Sequence, residues 1–225
     1  MRRGLRRRAR RFARPAWRVL PRRATPLSGS WGADRGTPVD RYYIERFLER
    51  HRADIRGRVL EIRDSRYASR FGTDVTAVDV LDVEPGNPIA TITADLSTAD
   101  QIPPETFDCF VLTQTLQNIA DLGGALRHAR RILRPGGVLL ATVPGISRID
   151  TGHADRDLWR FTPRAIAMLF ERSWATDDVE ITSDGNVLTA AAFLYGLAAE
   201  ELTPAKLAAH DPNYPVVVCA RAVRG

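Results

Sequence analysis

Two apolar runs joined by an acidic turn constrain this chain more than any other feature. Residues 58–72 read RVLEIRDSRYASRFG, and VTAVDV follows within a few residues, its apolar run ending at Asp79. A short β-rich run, a polar turn opening a helix and a second strand tipped by a carboxylate outline a nucleotide-cofactor half-site. In such a unit the backbone of the first turn meets the cofactor, and the carboxylate accepts hydrogen bonds from both ribose hydroxyls. Asp79 is the expected acceptor, with Val80 beside it and Asp82 near enough to compete; a strand-end acid facing water is the plainer alternative. The glycines of a strong fingerprint are missing. Arg63 and Ser65 stand where small residues are expected, although a glycine there would permit positive φ and close backbone approach.

Downstream the elements alternate. A helix capped by Asp40 carries Tyr43, Ile44, Phe47 and Leu48 on one face and ends at Gly57. Strands are expected at 59–62, 74–80, 89–93, 110–114, 138–143, 176–182 and within 214–223, and helices at 65–71, from Asp121 to Leu133, at 163–172 and at 190–202. This alternation implies an α/β, doubly wound, mostly parallel sheet. Ligands of such sheets lie beyond the carboxyl ends of the strands, so each polar residue that follows a strand is a site candidate.

Composition divides the chain into three parts: a tail (1–23), a Pro/Gly/Ser-rich linker (24–37) and one domain (38–225), a length that with 44% apolar residues suits a single core. The net charge of +6 belongs to the tail, which holds eleven arginines and no acid. Without it, 22 basic residues face 27 acidic ones, a net of about −5, which argues against a wide nucleic-acid face on the domain. The tail lacks the apolar stretch of a secretory signal, and no run reaches the roughly 20 residues needed to span a bilayer. With a single lysine, Lys206, against 32 arginines, the usage fits high-GC bacterial coding, and the expected location is cytoplasmic. Phe12, Trp17, Val19 and Leu20 among the arginines suit an anionic membrane surface or RNA; a disordered tail is the alternative. Cys109 and Cys219 each sit in an apolar run and read as buried reduced thiols. No metal-ligand motif or internal repeat is visible.

Taken together, LEI, AVDV, TADL, FDCFVLTQTL and LRPGGVLLATVPG resemble a class I S-adenosylmethionine-dependent methyltransferase domain over roughly residues 31–223. The nearest likeness is to small bacterial methyltransferases found beside glycosyltransferase, polysaccharide or natural-product genes. The resemblance implies a Rossmann-like seven-stranded sheet with an antiparallel last strand, a helical insertion before that strand, and S-adenosylmethionine as cofactor. It implies that Glu61 organises the loop around the cofactor, whose methionine part lies against the backbone near Arg63 and Asp64; Arg63 itself departs from the family pattern and either points away, fills the pocket or pairs with the methionine carboxylate. Asp95 and Leu96 match the adenine contacts, while Thr113, Gln114 and Gln117 fall where cofactor and acceptor meet. Tyr43 would close over the methionine end.

Residues 144–163, PGISRIDTGHADRDLWRFTP, form the most unusual stretch, dense in ionisable groups beside Trp159 and Phe161. DLWRFT resembles a segment of carbohydrate-associated methyltransferases, so the stretch is expected to bind the acceptor, with His153 or Asp150 as base; a solvated loop anchored by its aromatic residues is the alternative. The implied acceptor is a small molecule, a hydroxyl of a sugar or glycosylated metabolite, with no metal. A catalytically inactive relative, motivated by Arg63, and an RNA methyltransferase tethered by the tail remain alternatives.

Overall fold

A computed structural model describes residues 24–174 and 179–225. The arginine-rich tail, expected to be disordered, and the opening of the expected sixth strand lie outside them. A strand buried on both faces reads as an unbroken apolar run, and FDCFVLT is such a strand: Phe107, Cys109, Phe110, Val111 and Leu112 are all 0% exposed. It is the fourth of seven: β1 (Gly57–Ile62), β2 (Val75–Asp82), β3 (Ile92–Thr93), β4 (Phe107–Thr113), β5 (Leu133–Pro144), β6 (Val179–Asp184) and β7 (Val217–Val223), in the order β3-β2-β1-β4-β5-β7-β6. The first five run parallel, whereas β7 is antiparallel to both β5 and β6, so the sheet is mixed.

Period-two alternation sorts the side chains onto two faces. Val59, Cys109, Val111, Val138 and Leu140 join one cluster with helices α1 (Val39–Arg50), α2 (Arg66–Phe71) and α5 (Val187–Leu194). Leu60, Phe110, Leu112, Leu139 and Ala141 join the other with α3 (Leu122–Ile132) and α4 (Pro163–Ser173). A last short helix, α6 (Pro204–Ala208), precedes β7.

Several boundaries differ from the sequence reading for identifiable reasons. Helix α1 has its N-cap position at Pro38, two residues earlier, so Asp40 lies inside the first turn and accepts the Arg41 N–H. The helix ends at Arg50, and Arg52–Asp54 form a separate 3-10 turn. β2 runs on to Asp82. β3 shrinks to two residues because Pro85, Gly86 and Pro88 hold the preceding segment in turns. The Pro-Gly-Gly stretch does not separate helix from strand; it bends the start of β5 through Gly136 at φ 75°, whose N–H bonds the Arg224 carbonyl at 2.6 Å. The helix expected at 190–202 stops at Gly196, φ 72°, and gives way to the turn Ala199–Glu201.

Residues 24–37 are no free linker. They form a strap across the domain: Leu27 donates to the Tyr195 carbonyl at 2.8 Å, Arg35 pairs with Glu201, and Thr37 bonds Glu200. Trp31 donates its indole N–H to Ser147 at 3.1 Å and lies 3.7 Å beneath the Arg148 guanidinium.

Candidate active site

The first turn is built around a buried acid. Glu61, 1% exposed at the end of β1, accepts the backbone N–H groups of Tyr67 and Ala68 at 2.9 and 2.7 Å, and so caps the opening of α2. Burial pushes its carboxyl up to about 7, against the two N–H bonds that favour the charged form. Arg63 then takes φ 67°, the left-handed region that a glycine enters without cost, so the backbone keeps the expected shape despite the side chain. Its N–H bonds the Leu81 carbonyl at 3.0 Å, and its own carbonyl accepts from Asn87 Nδ2 at 2.8 Å. The Arg63 side chain is exposed, and its guanidinium has no partner among the described residues. Asp64 pairs with Arg66.

The second strand corrects two expectations. Leu81 pairs with Ile62, so the residue at the tip is Asp82, not Asp79. Asp79 lies three residues back, tied to Arg58 at 2.7 Å and to Thr91 at 3.0 Å. Val80 is likewise inside the strand, 4% exposed and level with Glu61. Asp82 is 7% exposed and takes 2.8 Å from the same Asn87 amide that holds the Arg63 carbonyl. One amide therefore locks the first turn to the second-strand carboxylate. Asn87 carried no signal in the sequence, where Pro-Gly-Asn-Pro reads only as a turn.

Tyr43 is also corrected: it is 1% exposed in the core, with its hydroxyl on the Leu207 carbonyl at 3.0 Å, and does not close over the site. Leu96 packs into the core beneath α3. Asp95 caps the Ser97 amide at 2.8 Å and starts the turn that follows β3.

At β4 the strand again ends in strained backbone. Thr113 is its last residue and Gln114 takes φ 47°, its N–H on the Thr142 carbonyl. Thus the two strands that flank the reversal of strand order, β1 and β4, are each followed by a non-glycine residue in left-handed geometry. Gln114 Nε2 and Gln117 Oε1 are buried there without a hydrogen-bond partner among the described residues.

Residues 145–162 cover this edge. Leu158 N–H and Trp159 Nε1–H donate to the carbonyls of Gln117 and Ile119, Phe161 N–H donates to Pro144, and Arg156 reaches Glu84 beyond β2 at 2.6 Å. Inside the loop Asp157 accepts the Asp150 N–H and pairs with Arg160, whose guanidinium holds its carboxyl below the usual range. His153 Nδ1 lies 3.4 Å from Asp150 Oδ2. The opposite edge carries a cleft of about 610 Å³ lined by two ion pairs, Asp54 with Arg221 and Asp108 with Arg134, and by Arg56 and Asp74.

Residues 57–141 match the methyltransferase-domain family. These residues carry a methyltransferase domain. Comparison with curated proteins gives no match. Solved structures share the class I fold at low identity. A Mesorhizobium loti S-adenosylmethionine-dependent methyltransferase superposes with a TM-score of 0.52 at 16% identity, covering 83% of this chain and 98% of that one. The 1,6-didemethyltoxoflavin-N1-methyltransferase of Burkholderia thailandensis, solved with S-adenosylhomocysteine, gives 0.50 and 17% over 81% and 76%. The cyclase SpnF gives 0.54 and 17% over 84% and 83%.

The cofactor of the methyltransferase domain is S-adenosylmethionine, and the residues at the strand tips fit it. Asp82 offers lone pairs for a ribose diol, the turn at Arg63 exposes backbone to a ligand, and the unpartnered amide atoms of Gln114 and Gln117 await one.

Proposed function

We propose that the methyltransferase domain methylates a hydroxyl of a small-molecule acceptor, a sugar or glycosylated metabolite. When bound, the cofactor supplies an electrophilic methyl on a sulfonium. Asp82 holds the ribose hydroxyls, and the unpaired Arg63 guanidinium binds the carboxylate of the methionine part. Gln114 and Gln117 orient what lies between β1 and β4, and the covering loop keeps water from it. The observation that carries the reading is the His153–Asp150 pair in the loop that spans the tips of β2, β4 and β5. Asp150 orients the imidazole, and His153 takes the proton of the acceptor hydroxyl as it attacks. Alignment supplies most of the acceleration; the base adds about 10²–10⁴-fold. The sugar assignment follows from the DLWRFT segment.

Arg63 also motivates a second reading, a cofactor-site relative that binds without transferring a methyl group. Calorimetry with S-adenosylhomocysteine separates the two. The methyl-transfer reading expects binding that Asp82→Asn weakens about tenfold to a hundredfold, the loss of charge-assisted hydrogen bonds, and that Asp79→Asn leaves unchanged. With glycosylated acceptors, His153→Asn lowers kcat by about 10²–10⁴ while cofactor Kd holds. Absence of heat and of any thermal shift at millimolar cofactor defeats both readings; binding without turnover on any acceptor favours the second.

A further inference from the structure

Apolar surface is unevenly distributed on this molecule. Among the described residues nine large apolar side chains are exposed, and seven of them, Val83, Ile89, Ile149, Leu158, Trp159, Val187 and Tyr214, belong to segments at the carboxyl edge of the sheet. Val83 and Ile89 follow β2; Ile149, Leu158 and Trp159 lie in the covering loop; Val187 follows β6, and Tyr214 precedes β7, where Val217 pairs with both Asp184 and Pro144. The other two, Met168 and Leu194, lie on α4 and α5. Isolated exposed aliphatic residues are ordinary. Seven of nine along one edge of the sheet, with a charged cleft at the opposite edge, give the molecule an apolar side.

The N-terminal strap brings the chain to the same side. Gly29 accepts from Arg148 at 2.5 Å and Trp31 bonds Ser147, both within the covering loop's first turn. Five residues separate Ala24 from Gly29, a reach of at most about 18 Å. The segment before Ala24 holds eleven arginines, no acid, and Phe12, Trp17, Val19 and Leu20. A basic segment bearing aromatic and aliphatic residues thus joins the fold beside an apolar rim. The surface complementary to both is anionic outside and hydrocarbon beneath, which describes a bilayer leaflet. An RNA would reward charge and base-stacking rings, not the aliphatic residues of the rim and tail.

We infer that this edge seats on an anionic lipid bilayer, so that the active site opens toward the membrane and takes a lipid-linked acceptor. The seating stands on the rim and the strap; the acceptor clause rests on the methyl-transfer reading.

Flotation of the full chain with phosphatidylcholine vesicles, with and without phosphatidylglycerol, tests it. The chain co-floats strongly with the anionic vesicles and only weakly with the neutral ones. The triple variant Ile89→Ser, Ile149→Ser, Leu158→Ser keeps its thermal midpoint and its S-adenosylhomocysteine heat, yet partitions about tenfold less. Its residual binding disappears at high salt, because only screened arginine contacts remain, while the parent chain keeps part of its binding. Undiminished binding by the triple variant overturns the inference, as does retention on RNA with no vesicle binding. Vesicle binding by a chain that gives no cofactor heat supports the seating and removes only the acceptor clause.

Discussion

Glu61 holds the cofactor turn through two backbone N–H groups while burial raises its carboxyl to about 7 from 4.5. The folded state therefore binds this proton more tightly than the unfolded chain. Stability from Glu61 is complete below about 4.5 and is lost as pH rises through about 7. Replacing it by glutamine leaves one carbonyl for two N–H donors and costs about 1–3 kcal/mol. Urea unfolding from pH 5 to 8 should show the advantage of the parent chain over Glu61→Gln shrinking as pH rises; an advantage that grows would refute the assignment. The place of Glu61 at the end of an apolar run is legible, whereas its hold on the following turn is what the family resemblance implies. The tip of the second strand is not legible, because the apolar run breaks at Asp79, where the strand merely turns a paired carboxylate toward Arg58, then resumes through Val80 and Leu81 to Asp82. Arg63 hid a preserved turn, since its φ of 67° cannot be read from an arginine.

At the scale of elements, the strap and the covering loop depend on each other. The Trp31 indole donates to Ser147, 116 positions away, and supports the Arg148 guanidinium. Trp31→Ala removes the hydrogen bond and the cation–π contact, each worth about 1 kcal/mol. Limited proteolysis should then cut within 24–37 several times faster while the sheet resists; an unchanged digestion pattern would show that Leu27, Arg35 and Thr37 suffice to hold the strap. Pro, Gly and Ser gave this stretch the look of a linker, and no local pattern reveals an anchor in so distant a loop. The helices were easier. Asp121 accepts the Gly124 N–H at 2.9 Å, and α3 runs between the residues that its apolar period and its cap marked. The segment after β6 was read as one long helix because alanines dominate it, whereas Gly196 at φ 72° breaks it.

For the whole molecule, β–α alternation carried the parallel part of the sheet, and the antiparallel β7 followed only from family likeness, since period-two patterning is blind to strand direction. Cys109 and Cys219 lie 0% exposed in β4 and β7, and burial pushes both thiols up. A thiol reagent should reach them only through opening of the sheet. Both should then react at one rate, equal to that of global unfolding; a faster Cys219 would show that β7 opens by itself. The roof over the strand tips is moored differently from the sheet. Leu158 and Phe161 attach it by main-chain N–H groups to the main-chain carbonyls of Gln117 and Pro144, moorings that any residue can supply. Evolution, or an engineer, can thus exchange the side chains overhead without recasting the sheet beneath.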